Sequence, residues 1–270
     1  MRDAPGALCL YGRYVAISIR SQMQYRASFA MLAAGHFLST GIEFLGVLVL
    51  FDRFGSLQGW GLPEVALFYG MVNVSFAVAE GVGRGFDTFA RLVRGGDFDR
   101  LLLRPRGTAL QVAGQEIDLL RIGRFSQGLF VLVWASMALG VEWNGARIGL
   151  LLLAVLGGAC FFVGLFVLQA TMCFWTTESL EIVNTVTYGG VEAGQFPLSV
   201  YRDWLQRLFT FIVPLGLVTY FPAIAILGRE DPLGTTRGFQ YAAPLIGVAF
   251  LCLALRVWRF GERHYRSTGS

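Results

Sequence analysis

No lysine occurs in the chain: all 22 basic residues are arginine. A Walker A phosphate loop is thereby excluded, because its lysine must reach the β and γ phosphates. Schiff-base chemistry is excluded as well, since it needs a primary amine to condense with a carbonyl. Histidine is almost as scarce. His36 and His264 are the only two, far apart in the 270 residues, so no ligand-spaced pair such as HExxH exists and no metal site is expected. Cys9, Cys160, Cys173 and Cys252 are scattered without CxxC spacing, the pattern of buried apolar thiols rather than of a zinc site or a disulfide frame. The opening MRDAPGALCLYGRY has no apolar stretch ahead of a small-residue cleavage site, so a removable signal peptide is not expected. Charge is also sparse, at 15% of residues, where soluble domains carry about a quarter.

What is present is hydrocarbon. Hydrophobic residues make up 55% of the chain and the mean hydropathy is +0.57, which marks an all-α integral membrane protein. A bilayer core of about 30 Å needs roughly 20 apolar residues as helix. Six segments qualify as expected spans: 27–51, 62–82, 125–141, 148–175, 205–227 and 239–258, the third short and the fifth broken by Pro214 and Pro222. Arginine on short loops is retained in the cytoplasm. With both termini inside, 18 arginines face inward, Arg202 and Arg207 among them, against Arg53, Arg147, Arg229 and Arg237 outside. That asymmetry favours an even number of spans. No repeat or soluble domain interrupts residues 1–270, so a single membrane domain is expected.

Residues 1–26 form an amphipathic N-terminal segment. Leu8, Tyr11, Val15, Ile19 and Met23 recur at helical spacing, with Arg13, Arg20 and Gln24 on other faces. The segment either lies on the inner surface as an interfacial helix or extends the first span into the cytoplasm.

Few polar residues fall inside the spans: His36, Glu43, Asn73, Ser75, Glu80 and Gln169. A carboxylate at mid-bilayer costs about 2.5–3.5 kcal/mol, so Glu43 should face protein, water or a partner. His36, Glu43 and Asn73 are therefore candidates for a translocation path, with a hydrated or arginine-paired Glu43 as the alternative. Glu178, Glu181, Glu192 and Asp203 compose a second, acidic cytoplasmic segment that reads as solvated rather than catalytic. No converging carboxylate pair or nucleophile–base pair appears, so no catalytic residue is assigned. GVGRG at 81–85 follows a span rather than a strand and is not a nucleotide loop.

Residues 83–124 carry the densest charge, eight of the arginines lying between Arg84 and Arg124. Phe86, Phe89, Leu92 and Val93 fall on one side of an amphipathic helix and Arg84, Asp87, Arg91 and Arg94 on the other. Gly95 and Gly96 should end it, since glycine tolerates the left-handed conformation. Asp97 and Asp99 precede LLLRP, and Pro105 disfavours helix at the residue before it. The result is a short, stiff, charged projection that reads as a cytoplasmic contact surface. A basic loop held only by anionic lipid needs no paired acids, glycine break or terminal proline, so a protein partner explains it better. A nucleic-acid partner is not expected.

Three stretches carry a resemblance to a known family. GDFDRLLLRP (96–105), FWTTESLEIVNTVTYGGVEAGQFPLSVY (174–201) and FIVPLGLVTYFPAIAILGR (211–229) resemble, in order, the loop after the second span, the cytoplasmic motif and the proline-broken fifth span of six-span ABC-2-type transporter permeases. Phe196 stands where a tyrosine is more usual. The resemblance implies a non-catalytic permease in the bacterial inner membrane, with no cofactor of its own. It would pair with a second permease and with a dimer of cytoplasmic ABC ATPases that carry ATP and magnesium, and would export hydrophobic or amphipathic compounds. It places Gly96, Asp99, Leu101, Leu102, Arg104 and Pro105 at the ATPase-coupling surface, and Tyr188, Gly189, Gly190 and Pro197 in a second cytoplasmic motif. Pro214 and Pro222 free backbone carbonyls that neighbours or water must satisfy, so a kinked or partly re-entrant segment is expected near the outer face, either as an outer gate or as a purely structural kink. The competing reading is a secondary transporter driven by an ion gradient. Such a carrier normally shows two related halves with discontinuous helices at mid-membrane, and no matching second half is visible.

Overall fold

Helix accounts for the regular structure of residues 6–176, 181–231 and 234–265, the part of the chain that the computed structural model describes. Glu178 lies outside these residues. The first helix, α1 (Ala7–Gln22), passes through a 3-10 turn at Met23–Tyr25 into α2 (Arg26–Phe54). Cys9–Phe54 is thus one 46-residue helical stretch. α1 also packs on the arginine-rich region: Gln22 donates to the Ile117 carbonyl at 2.6 Å and accepts from the Leu119 N–H at 3.2 Å.

α3 (Leu62–Asp87) is the hub. It is apolar all round, and from Val65 to Ala77 every residue is buried, as expected of a helix enclosed by others. Glu64 starts it by accepting the Gly61 N–H at 2.7 Å. Three short helices follow, α4 (Phe89–Arg94), α5 (Asp97–Leu102) and α6 (Thr108–Gln115). Beyond them come α7 (Ile122–Ala138), α8 (Gly145–Thr176), α9 (Glu181–Gly194), α10 (Asp203–Arg207), α11 (Leu215–Val218), α12 (Tyr220–Leu227), α13 (Arg237–Ala242) and α14 (Leu245–His264). α8 and α14 lie so close that a Cβ on Gly247 would fall 1.9 Å from the Gly157 carbonyl oxygen.

Among the described residues, three stretches are long and apolar enough to cross a membrane: Cys9–Phe54, Leu62–Arg94 and Gly145–Thr176. The pair Asp203–Ile212 and Leu215–Leu227, bent by 75°, makes a fourth only if it is a single span. It is not a simple crossing. Before it, Ser199 accepts the Trp60 indole N–H at 3.0 Å; after it, Arg229 donates to the Gly59 carbonyl at 2.8 Å. Both ends therefore meet the same α2–α3 loop, and the segment is re-entrant. The expected span at 205–227 is corrected accordingly. α9 runs along α3 towards that loop: Tyr188 packs on Phe76 with ring centroids 5.5 Å apart, Gly194 lies against Val72, and the chain then reaches Trp60 through Ser199. Arg202 and Arg207 consequently sit at the end opposite the arginine-rich region, not with it.

Two cores result. One, at the α2–α3 loop end, gathers Phe51, Trp60, Phe68, Tyr220 and Phe221. The other, at the arginine-rich end, gathers Phe86, Phe89, Phe98, Phe174 and Trp258.

Candidate functional site

The arginine-rich end presents one small protrusion. α4 stops at Arg94, and the break is made by Gly96, whose φ of 69° lies in the left-handed region where a Cβ is disfavoured. α5 then turns back with Asp97 and Asp99 in its first turn, where carboxylates oppose the helix dipole favourably. Its inner face carries Phe98 and Leu101, both buried, while Leu102, Leu103, Arg104 and Pro105 are exposed, Leu103 at 87%. The apex of this charged turn thus carries uncovered apolar side chains, Leu102 and Leu103.

Buried Gln111 holds that turn closed. Its Nε2 donates to the Leu101 carbonyl at 3.2 Å and to the Arg106 carbonyl at 3.0 Å, tying together both ends of the exposed tip. Asp99, nominated from the sequence as partner-facing, is half-buried beside the Tyr265 hydroxyl at the end of α14. Burial, and then the neighbouring Asp99 carboxylate, push the Tyr265 phenol up to about 12. Asp99 thus anchors the protrusion, and its exposed chemistry belongs to Leu102–Pro105.

Underneath lies an aromatic base. Phe98 meets Phe89 at 5.0 Å, Phe174 at 5.4 Å and Tyr265 at 5.0 Å between ring centroids. Trp258 closes against Phe89 at 4.9 Å and Phe174 at 4.8 Å. Its indole N–H donates to Thr108 Oγ1 at 3.0 Å, and Thr108 in turn donates to Glu262 at 2.9 Å. The tip is therefore bolted to α4, α8 and α14 together. Tilted and edge-on aromatic pairs of this kind add about 0.5–1.5 kcal/mol each beyond their area.

Beside this base runs a charge lattice. Glu80, 2% exposed, faces Arg121 at 3.4 Å and Arg124 at 3.7 Å, and Arg121 also pairs with Asp118 at 3.1 Å. Arg84 pairs with Asp87, while Glu116 takes Arg91 at 3.1 Å and the Thr88 hydroxyl at 2.8 Å. These contacts join the end of α3 to the start of α7. Gly85 permits the approach of α6, whose Val112 carbonyl oxygen would lie 1.9 Å from a Cβ there. That close approach accounts for a glycine of the GVGRG run.

The remaining sequence candidates separate. Tyr188 touches Phe76 and neighbours Asp87, so it joins the charge lattice. Gly189 and Gly190 have open space where a Cβ would point. Pro197 stands at the other end of the molecule with the Ser199–Trp60 contact and shares no surface with Tyr188. Asn73 is fully buried and donates to the Tyr69 carbonyl of its own helix at 3.0 Å. His36 is half-buried where α2 meets Gly123 of α7, and Glu43 is exposed on α2. Pro214 occupies the 75° bend, whereas Pro222 sits in the first turn of α12, where its missing N–H costs no helical bond. Phe98, Gln111, Trp258 and Tyr265 were not singled out by sequence reading. Only the regular spacing of aromatics on the α4 face hinted at such a base.

Among the described residues, no group of three or more His, Cys, Asp or Glu side chains could hold a metal ion. Neither the curated proteins nor the solved structures compared with this chain give a match. The family model described as ABC-2 family transporter protein matches residues 37–269, which include the protrusion, the aromatic base and the re-entrant segment. The chain belongs to the ABC-2 family of transporter proteins, the membrane permeases of ABC transporters.

Proposed function

We propose that this chain is the permease of an ATP-driven exporter and that a cytoplasmic dimer of ATPase subunits, carrying ATP and magnesium, docks on the Leu102–Pro105 tip. The observation that carries this reading is the rooting of the exposed tip in the aromatic base where α4, α8 and α14 converge. A push on Leu103 has no soft element to absorb it. Closure of the ATPases can then bias the membrane helices, provided the contact energy differs between their two arrangements. Hydrolysis resides in the partner, and this chain remains non-catalytic.

Six helices cross the bilayer in this proposal: α2, α3, α7, α8, α9 and α14. Both termini and the arginine-rich end face the cytoplasm of a bacterial inner membrane, and the re-entrant segment bent at Pro214 forms the outer gate. Exposed Glu43 on α2 and Glu192 on α9 are too costly to leave in lipid. They face a second permease, identical or homologous, across a hydrated path for a hydrophobic or amphipathic compound.

The test is co-purification of the tagged chain with its co-expressed candidate ATPase, comparing wild type with Leu103→Glu/Arg104→Glu. Loss of an exposed hot spot should cut retention roughly tenfold or more while the thermal midpoint stays unchanged. If wild type retains no ATPase under conditions that preserve its fold, and transport by the chain alone follows an ion gradient and stops in Glu43→Gln, a gradient-driven carrier replaces this reading.

A further inference from the structure

The re-entrant segment holds a feature that the permease reading does not use. Between α10, the π-helical turn Leu208–Ile212 and α13 lies a cavity of about 440 Å³. Asp203 and Arg207 stand at its rim, and Phe211, Phe221 and Phe239 form its wall. A second concavity adjoins it across the same Asp203 and Arg207 and is bounded by Arg202 and Trp204. Two cations and one acid thus stand together, flanked by aromatic surface on both sides.

Among the described residues none of Arg202, Asp203 and Arg207 forms an ion pair or a side-chain hydrogen bond. The apolar groups around them are uncovered too: Trp204 is 62% exposed, Phe211 80% and Ile212 73%. Exposed aromatics beside exposed arginines suit one environment, the boundary between acyl chains and headgroups. The segment enters and leaves at the α2–α3 loop end, which places it at such a boundary.

We propose that this cleft is a phospholipid site, with the headgroup phosphate on Arg202 and Arg207 and the first part of an acyl chain along Phe211 and Phe239, which Phe221 backs from the core. Arginine is the side chain suited to bidentate phosphate contact. A free phosphate would leave the aromatic wall without a partner, whereas a diacyl lipid fills both parts. Asp203 completes the match by accepting from a primary ammonium, so phosphatidylethanolamine is preferred over phosphatidylcholine, whose quaternary nitrogen has no N–H to donate. The site rests on the membrane reading of the chain and is independent of the ATPase partnership.

Native mass spectrometry of the full chain in mild detergent, with equal amounts of phosphatidylethanolamine and phosphatidylcholine, tests it. Wild type should retain the ethanolamine lipid in preference. Arg202→Gln/Arg207→Gln should lower retention of both lipids roughly tenfold, the scale of a lost charge-assisted contact. Asp203→Asn should erase the preference while leaving total retention in place. Thermal midpoints equal to wild type exclude unfolding, and the Asp203→Asn comparison stands even if the double variant is unstable. Equal retention by all three proteins overturns the site. So does displacement of lipid by millimolar inorganic phosphate, which marks a simple anion site, or a dimer lost in the double variant, which marks a protein contact. A chain extracted from membranes by alkaline carbonate would overturn the membrane reading itself.

Discussion

Asp99 and Tyr265 show how a residue nominated for its charge can serve by position. The Tyr265 phenol stands near 12 because it is buried and next to the Asp99 carboxylate. Its folded pKa exceeds that of an unfolded tyrosine, about 10, so the folded state binds this proton more tightly. Its contribution is complete below pH 10 and is lost as pH rises from about 10 towards 12. The expected outcome is a thermal midpoint that falls over that window in wild type and falls less steeply in Tyr265→Phe, measured in one detergent across a pH series. GDFDRLLLRP announced itself by composition, with charge and glycine set among apolar runs. Which of its residues face outward did not, because Phe98 and Leu102 are equally apolar and only the packing of Trp258 and Phe174 separates them.

At the scale of elements, close contact of helices is the governing fact. α8 and α14 meet through Gly157 and Gly247 with no room for a side chain. Without a hydrophobic force between helices in lipid, such association relies on small residues that let backbones approach. Gly247→Leu should therefore part α14 from α8 and lower the thermal midpoint strongly, whereas Gly149→Ala, which meets nothing within 4 Å, should leave it unchanged or slightly raised. Differential scanning of the two variants checks this. The amphipathic pattern over Phe86–Val93 and the glycine stop at 95–96 were readable in the sequence, since periodicity and a left-handed glycine are local signals. The role of α9 was not. It is a helix of only 14 residues, too short to register as a span, while the longer run of hydrocarbon at 205–227 folds back on itself.

For the whole molecule, the re-entrant segment moves Arg202 and Arg207 to the end that carries the α2–α3 loop. In a cysteine-free background, a cysteine at Trp204 should react with an impermeant maleimide added outside intact cells, and one at Leu103 only after permeabilisation. Equal sidedness would restore 205–227 as a true crossing. Composition alone determined that this is an α-helical membrane protein, because so much hydrocarbon with so little charge has no other stable solvent, and the absence of lysine and of ligand-spaced histidine removed whole classes of chemistry. Motif order identified the family that residues 37–269 match. Tertiary structure alone decided that the run at 205–227 returns to the end it left, and which end its arginines occupy. Hydropathy measures the cost of burying a segment, and a re-entrant hairpin and a crossing helix bury nearly the same surface. What separates them is where their ends are held, here by Trp60 on Ser199 and Arg229 on Gly59, contacts between residues more than a hundred positions apart that no local pattern encodes.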